Sequence, residues 1–467
     1  MRMTRVALCN KSEKVQKSDA SDTDAMRAAL VARPVPTTTT TTTRRRKTQC
    51  RDRHRRVVAR AQNTASKTTA GAVVNDAETP EQVLAAASLV VLPGEESAPH
   101  ERQDVHKMKR ATACSLALRR LVKMLVGVKR DEARANATRT PEFARLVAGA
   151  LADRGSAPGD DAKAMDLFVE TARALGSLAP FEMERASAEM LVATAEAYAR
   201  SGDMSAKSAT PVAWSLARFG LDVPSEIGDL LRGIPFKFEP NLTAGLIDLE
   251  TLRREVAFRR EKLTTRDGRQ VDERRETCWM GEDGVGSYAY SGKVMQPTPM
   301  PPCVVALRDA LEEKTGERFD CALVNLYPNE TAACAYHTDP GMGIGFATDS
   351  IIVSIGETRR FSFRPLGSTD AESHWVRVHD GDAISMFANC NDDFEHCVMK
   401  AESDENDGPR ASIVFKRCLA KRRTPGGTRK KKPNSQNRST GSGGRKSPSS
   451  ASASSSTRRG GRGARRA

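Results

Sequence analysis

The ten cysteines of this chain include no C-x-x-C pair, which sets aside zinc ribbons and thioredoxin-like redox motifs. Spread over 467 residues, they also lack the density of a small secreted disulfide scaffold, and a reducing compartment is expected. No apolar run approaches 18 residues, so no membrane-crossing helix and no membrane partner are expected. Aromatic residues are scarce, with only 3 Trp and 5 Tyr, so few side chains are available to stack on a planar ligand. Acids are missing altogether from residues 421–467, where fifteen Lys or Arg stand. That excess equals the net charge of +15, so residues 1–420 are balanced and the basic character belongs to the tail. A solvated cationic arm of this kind meets phosphate.

The length predicts two or three folded units plus tails. Residues 1–79 read as a disordered basic segment and 421–467 as a disordered basic tail. Between Met26 and Asn75 the one acid is Asp52, among many Arg, Ser and Thr, the pattern of a chloroplast or mitochondrial transit peptide. Glu13, Asp19, Asp22 and Asp24 upstream depart from it, so a start at Met26 and a plain basic arm both stay open. An organelle is the expected location. The alternative is the nucleus, because "KRRTPGGTRKKK" would serve as an import signal.

Residues 80–232 are rich in Ala and Leu and periodic at helical spacing. The spacing assigns Leu167, Ala174 and Leu175 to one buried face, Met190, Ala193 and Ala197 to a second, and Val212, Leu216 and Phe219 to a third. Gly176, Gly202 and Gly220 fall where C-terminal caps would stand. "ETARALGSLAP" and "AWSLARFGLDVP" look alike, which suggests stacked helical hairpins, with a plain bundle as the simpler reading. They loosely resemble the helical repeats of organellar RNA-binding proteins.

Residues 235–420 turn to strands. "CALVNLY", "DSIIVSIGE", "RRFSFRP", "HWVRVHD", "DAISMFA" and "RASIVFKR" are short, β-branched or aromatic, and separated by turns such as "PLGSTD" and "HDGD". With no helical pattern recognised between them, an antiparallel sandwich or barrel is predicted, giving an α+β chain with an all-α region in front.

In "NLYPNETAACAYHTDPGMG", His337 and Asp339 stand two apart, as do Asn325 and Tyr327. Residues two apart on a strand share a face. In the last strand Arg410, Ser412, Val414 and Lys416 share one face and Ala411, Ile413 and Phe415 the other, so that strand has a polar interior to face. Two imidazoles and a carboxylate on one side of iron leave three positions open, as non-haem Fe(II) oxygenases require. Of the seven histidines, His54, His100 and His106 lie outside the strand region, His374 starts a strand, and His379 sits in a turn. His396, in "DDFEHCVMK", follows a strand and precedes Arg410 by 14 residues.

In that order "NLY", "HTD", "FEHCV" and "RASIVFK", with "CWMGEDGVGSYAYSG" and "DSIIVSIGETRRFSF", resemble the AlkB family of Fe(II)/2-oxoglutarate dioxygenases over about residues 264 to 418. The resemblance implies a double-stranded β-helix (jelly roll) with Fe(II), 2-oxoglutarate and O2 as cofactor and co-substrates. It assigns His337, Asp339 and His396 to the metal, and Asn325, Tyr327 and Arg410 to 2-oxoglutarate. Lys416 stands where the family commonly has a second arginine, and a lysine supplies charge without a bidentate fork. Trp279, Tyr288, Tyr290 and Ser291 match the substrate side, where an aromatic would stack on a flipped base; core packing is the other reading for each.

The implied activity is oxidative demethylation of N-alkylated bases in DNA or RNA, as in dealkylation repair. Members acting on cationic N1-methyladenine and N3-methylcytosine often carry an acid two residues after the metal aspartate. Here Gly341 stands there, which keeps neutral N6-methyladenine in RNA in view, with Asp349 as an acid that would have to reach in across the loop. A protein hydroxylase and a non-catalytic nucleic-acid-binding protein are the rivals. Oligomeric state is not legible.

Overall fold

The computed structural model describes residues 74–90, 100–152, 161–265, 267–402 and 408–419. The expectations for residues 1–73, including His54 and the targeting segment, and for the basic tail lie outside the described residues.

Eight helices occupy the Ala- and Leu-rich region: α1 (Pro80–Val90), α2 (His100–Leu125), α3 (Asp131–Thr138), α4 (Pro141–Leu151), α5 (Asp161–Leu178), α6 (Arg185–Ser201), α7 (Ala206–Arg218) and α8 (Ser225–Leu230). Local chemistry sets their ends. Thr140 accepts from the Phe143 amide ahead of Pro141 at the start of α4, and Ser205 accepts from Ser208 N at the start of α7; each cap satisfies a backbone donor that the helix cannot. Gly202 closes α6 at φ 84°, as expected of a left-handed cap.

Two expectations for this region do not hold. Met190, Ala193 and Ala197 are exposed, and α6 instead buries Ser187, Leu191 and Ala195. In a helix with alanine on every face the periodicity is weak, and the side that finds a partner is decided by packing. Gly176 lies inside α5, not at its end. A Cβ there would stand 2.6 Å from Cζ3 of Trp214, so the glycine lets α7 approach.

The strand region contains β1 (Phe236–Glu239), α9 (Leu249–Glu255), β2 (Lys262–Thr264), β3 (Gln270–Asp272), β4 (Glu276–Gly281), β5 (Tyr288–Tyr290), β6 (Lys293–Met295), α10 (Pro302–Thr315), β7 (Cys321–Tyr327) and β8 (Cys334–His337). It continues with β9 (Phe346–Gly356), β10 (Arg359–Pro365), β11 (His374–Val378), β12 (Ala383–Met386), α11 (Cys390–Asp393), β13 (Phe394–Val398) and β14 (Arg410–Cys418). A six-stranded antiparallel sheet runs β1-β12-β9-β14-β7-β4, and a four-stranded one β11-β10-β13-β8.

Three helices, α9, α10 and α11, were not anticipated among the strands, and α10 is the longest of them. In α10, Val304, Leu307 and Leu311 are buried at helical spacing and pack with Phe319, Val324, Ile413 and Phe415 on the outer face of the large sheet. The inner face shares a second core with the small sheet, where Tyr327, Ile352 and Val414 meet Phe361, Phe363 and Val376. Burying each such side chain is worth roughly 1.5–3 kcal/mol. The alternation of β14 therefore separates two layers. Ala411, Ile413 and Phe415 join the helix side, while Arg410, Ser412 and Lys416, all buried, share the other face with Val414 and point between the sheets.

The helical region joins the strands through α7. Thr210 Oγ1 lies 2.7 Å from His374 Nδ1, the Trp214 ring stacks on His379, and Arg218 Nη1 donates to both oxygens of Asp382 at 2.9 and 2.8 Å. Among the described residues no helix is long and apolar enough to cross a membrane.

Candidate metal centre and co-substrate pocket

Strand register brings the two histidines together. On paired strands β8 and β13, His337 is the direct cross-strand partner of His396, and their ring centroids are 4.4 Å apart. Asp339 enters from the turn after β8. Its amide donates to Asn391 Oδ1 at 2.7 Å, and Gly341, at φ 76°, turns the chain so that its carbonyl accepts from Gly345 and Phe346. A side chain at that φ is strained, which gives the glycine a backbone reason. One ligand atom from each of His337, Asp339 and His396 lies within 4.8 Å of the others. Asp339 Oδ1 is 3.5 Å from His337 Nε2 and 4.0 Å from His396 Nε2.

The surrounding groups prepare this cluster. His337 Nδ1 lies 2.9 Å from the Ala335 carbonyl, with Nε2 facing Asp339. Burial disfavours its charged form, but Cys334 and Asp339 raise it well above its ordinary value, so metal binding at Nε2 would release a proton. Lys416, fully buried, donates to Asp339 Oδ2 at 2.5 Å. Burial alone would raise the Asp339 carboxyl, but Lys416 and the two histidines hold it well below the usual carboxylate range. Burial, then the neighbouring His337, pushes His396 down to about 3. His396 is thus a neutral imidazole, the form a metal binds, and its ring lies against Phe361. Two imidazoles and an ionised carboxylate converging on one point fit Fe(II).

The other end of the interior fits a dicarboxylate. Arg410 is the cross-strand partner of Tyr327, and Ser412 of Asn325. The Arg410 guanidinium is buried 5.2 Å from the Tyr327 ring centroid, and its Nε and Nη1 have no hydrogen-bond partner. Asn325 donates to Ser412 Oγ at 3.3 Å, while its own Oδ1 has none. Burial pushes the Arg410 guanidinium down to about 10, and among the described residues it forms no ion pair. A buried cation with unused N–H groups is costly, and a carboxylate that accepts from it lowers the cost. Lys416 stands apart from Arg410, on Asp339. Six residues along β14 carry it about 20 Å from Arg410 in backbone terms, and its ammonium is engaged by the metal aspartate and not by the residues around Arg410.

A model of the 2OG-Fe(II) oxygenase superfamily matches residues 243–426. A protein of Acanthamoeba polyphaga mimivirus without an assigned function is 33% identical over 163 residues, which cover 35% of this chain and 83% of that protein. The alpha-ketoglutarate-dependent dioxygenase alkB homolog 3 is 28% identical over 190 residues in Bos taurus and 27% over 176 in Homo sapiens, covering 38% and 36% of this chain. The chain belongs to the AlkB family of Fe(II)/2-oxoglutarate-dependent dioxygenases. It spans 64% and 59% of the length of those bovine and human relatives. A solved structure of OsALKBH1 aligns with a TM-score of 0.30 at 15% identity, over 39% of this chain and 98% of that one.

In this dioxygenase the four substrate-side residues do not form one surface. Trp279 and Tyr288, 1% and 2% exposed, stack on each other at 4.8 Å and against Phe346, and Trp279 Nε1 donates to the Gly286 carbonyl. The indole face expected to stack on a base is covered by Tyr288. The Tyr288 hydroxyl, raised first by burial, also feels the Asp339 charge, so this aromatic wall borders the metal centre. Ser291 is exposed at the β5–β6 turn, at φ 47°. Tyr290 belongs to a network that sequence reasoning missed. It donates to Glu273 Oε1 at 3.0 Å, and Glu273 also accepts from Arg275 at 2.9 Å and Lys293 at 2.6 Å. Arg275 continues to Cys334 Sγ at 2.8 Å, which lies 3.6 Å from His337 Nδ1. Cys334, three residues before His337 at the start of β8, is thereby in contact with a candidate metal ligand. Asp349, the acid that was to reach in from across the loop, lines a different cleft with Lys237, Lys314 and Arg318, which no metal ligand lines.

Proposed function

We propose that this dioxygenase removes alkyl groups oxidatively from N-alkylated bases in nucleic acid. The observation that carries the reading is the pairing of a two-histidine, one-carboxylate cluster with a buried guanidinium whose Nε and Nη1 are unused, the histidines on the small sheet and the guanidinium on the large one that faces it. The two antiparallel sheets around one apolar core support a jelly-roll frame.

When bound, Fe(II) supplies the redox chemistry that couples conversion of 2-oxoglutarate and O2 into succinate and CO2 to hydroxylation of a C–H bond. His337, Asp339 and His396 would hold it. Lys416 keeps Asp339 ionised and points the free oxygen at the histidines. Arg410 and Asn325 orient the distal carboxylate of 2-oxoglutarate. Trp279, Tyr288 and Phe346 wall the site with hydrocarbon and exclude water from that side. An N-hydroxymethyl product is a hemiaminal, and it collapses to formaldehyde and the N–H base without further help.

Within this reading the absence of an acid at Gly341 and the neutralisation of Glu273 by Arg275 and Lys293 favour a neutral methylated base over a cationic one. A cationic base would have to compete with two cations for Glu273. The test is release of succinate and formaldehyde with Fe(II), 2-oxoglutarate and oligonucleotides carrying N1-methyladenine, N3-methylcytosine or N6-methyladenine, as DNA and as RNA, beside a peptide control. Turnover of any methylated oligonucleotide is expected. No turnover together with no Fe(II) binding would sink the enzyme; turnover of the peptide alone would replace nucleic acid as the substrate.

A further inference from the structure

Away from the metal centre, a cleft of about 540 Å³ opens between helices α2 and α5 and the outer side of the small sheet. Six cations line it: Arg119, Arg120, Lys123, Arg173, Arg360 and Arg377. Only three acids do, Glu78, Glu170 and Glu402. At its floor lies Trp375, with the guanidinium carbons of Arg173 and Arg360 each 4.1 Å from the ring centroid and that of Arg377 at 5.3 Å.

The acids present do not balance this set. Glu402 is shared, accepting both donors of Arg377 at 2.7 and 2.9 Å and pairing with Arg360 as well. Glu170 pairs with Arg173 and lies 3.9 Å from Arg119. The buried Nε groups of Arg120, Arg173 and Arg360 have no hydrogen-bond partner. Burial, opposed by Glu170 and assisted by Arg377, Arg360 and Arg119, brings the Arg173 guanidinium below its ordinary range. Like charges held together with unused donors are stabilised by an anion that bridges them, and planar guanidiniums match phosphate oxygens. Three guanidiniums crowd the Trp375 ring, so the cleft offers charge and N–H donors before it offers a platform for a base.

We propose that this cleft binds the phosphodiester backbone of a nucleic-acid strand, a contact separate from the catalytic pocket. For its partner the proposal rests on the nucleic-acid reading above; for its location it rests on the cleft alone. It gives the helical region a role, because α2 and α5 supply four of the six cations.

Trp375 makes the test direct, since Trp214 and Trp279 are 2% and 1% exposed and Trp375 lines the cleft. Full-length protein is titrated with unmodified single-stranded RNA and, separately, DNA, reading tryptophan fluorescence; no turnover is needed. Quenching is expected, lost in Trp375→Phe. The Arg119→Ala/Lys123→Ala double variant removes surface cations (Arg119 is 53% exposed) and should fold even if the Trp variant does not. Its midpoint should rise about 10-fold at low salt and its salt slope fall by about 2. Equal midpoints for the double variant and the parent protein overturn the proposal, as does quenching that persists in Trp375→Phe. Polyglutamate of matched length, binding as tightly with the same dependence on Arg119 and Lys123, overturns it in favour of an acidic peptide. Absence of demethylation with normal oligonucleotide binding would fail the catalytic reading and leave the cleft standing.

Discussion

Two places in this molecule bury the same residue types. The metal centre holds His396, Asp339 and Lys416 buried and His337 half-buried; the seam between α7 and the strands holds His374, His379, Asp382 and Arg218. At the centre the imidazole nitrogens and one carboxylate oxygen converge within 4.8 Å, while the other oxygen is neutralised by Lys416. At the seam each of the four side chains has its own separate partner, with only His379 Nε2 and Arg218 Nε unused among their buried polar atoms. His374 meets Thr210, and His379 meets Thr358 at 3.2 Å. Asp382 takes Arg218 on both oxygens and the amides of Asn241 and His379 besides. The difference is where lone pairs point. Two histidines, an aspartate and a cation are a structural lock when each pairs separately, and a metal site when three ligand atoms face one point.

The comparison breaks most visibly at the ligands. His396→Ala should lower Fe(II) affinity by more than about 100-fold, since even partners behind a ligand are worth about 10–100-fold, and should abolish succinate release. His374→Ala should change neither. Metal titration of both variants decides it, and comparable losses would erase the distinction. Next in size, Arg218→Ala should destabilise the fold by about 3–5 kcal/mol through the uncompensated Asp382, measured by denaturant unfolding, with Fe(II) affinity unchanged.

The seam also carries a pH dependence. Burial, then Lys207, lowers His374 to about 4 from 6.5, and burial, then Arg218, lowers His379 as well. The unfolded chain takes up these protons first. Stability is therefore complete above pH 6.5 and lost as the pH falls toward 4, by about 3 kcal/mol from His374 alone. Thermal unfolding across that window should lose the His374 share of this slope in His374→Gln and keep the share of His379.

Lys416→Ala should reduce Fe(II) affinity by about 10–100-fold, as loss of a ligand's supporting partner does, with little change in the 2-oxoglutarate requirement. Arg410→Ala should do the reverse. A large rise in the 2-oxoglutarate KM for Lys416→Ala would put the lysine in the clamp after all. Smallest, Met190→Ala should stay within about 0.5 kcal/mol of the parent, while Leu191→Ala costs about 2–5 kcal/mol. Equal effects would mean α6 presents the face its periodicity suggested.

The strands were legible because their β-branched and aromatic runs are bounded by Gly, Pro and Asp, and the alternation of β14 announced a polar interior. The helix α10 was legible too, at Val304, Leu307 and Leu311, yet it was hidden by its setting among strands. The face of α6 was not, because alanine lies on all its sides. Nor was the role of Gly176, whose neighbour Trp214 is 38 residues away.

What the sequence determined by itself is the chemistry available: the residue types, their spacing on strands, and the order of motifs that marks the family. Tertiary structure decided which of those residues meet. Cross-strand register set His337 against His396, a contact across 77 positions set Lys416 on Asp339, and stacking against Tyr288 closed the Trp279 ring to a base. Pattern along a chain reports which side a residue faces. What stands on that side is fixed by a partner strand or helix far away, and local periodicity carries no record of it.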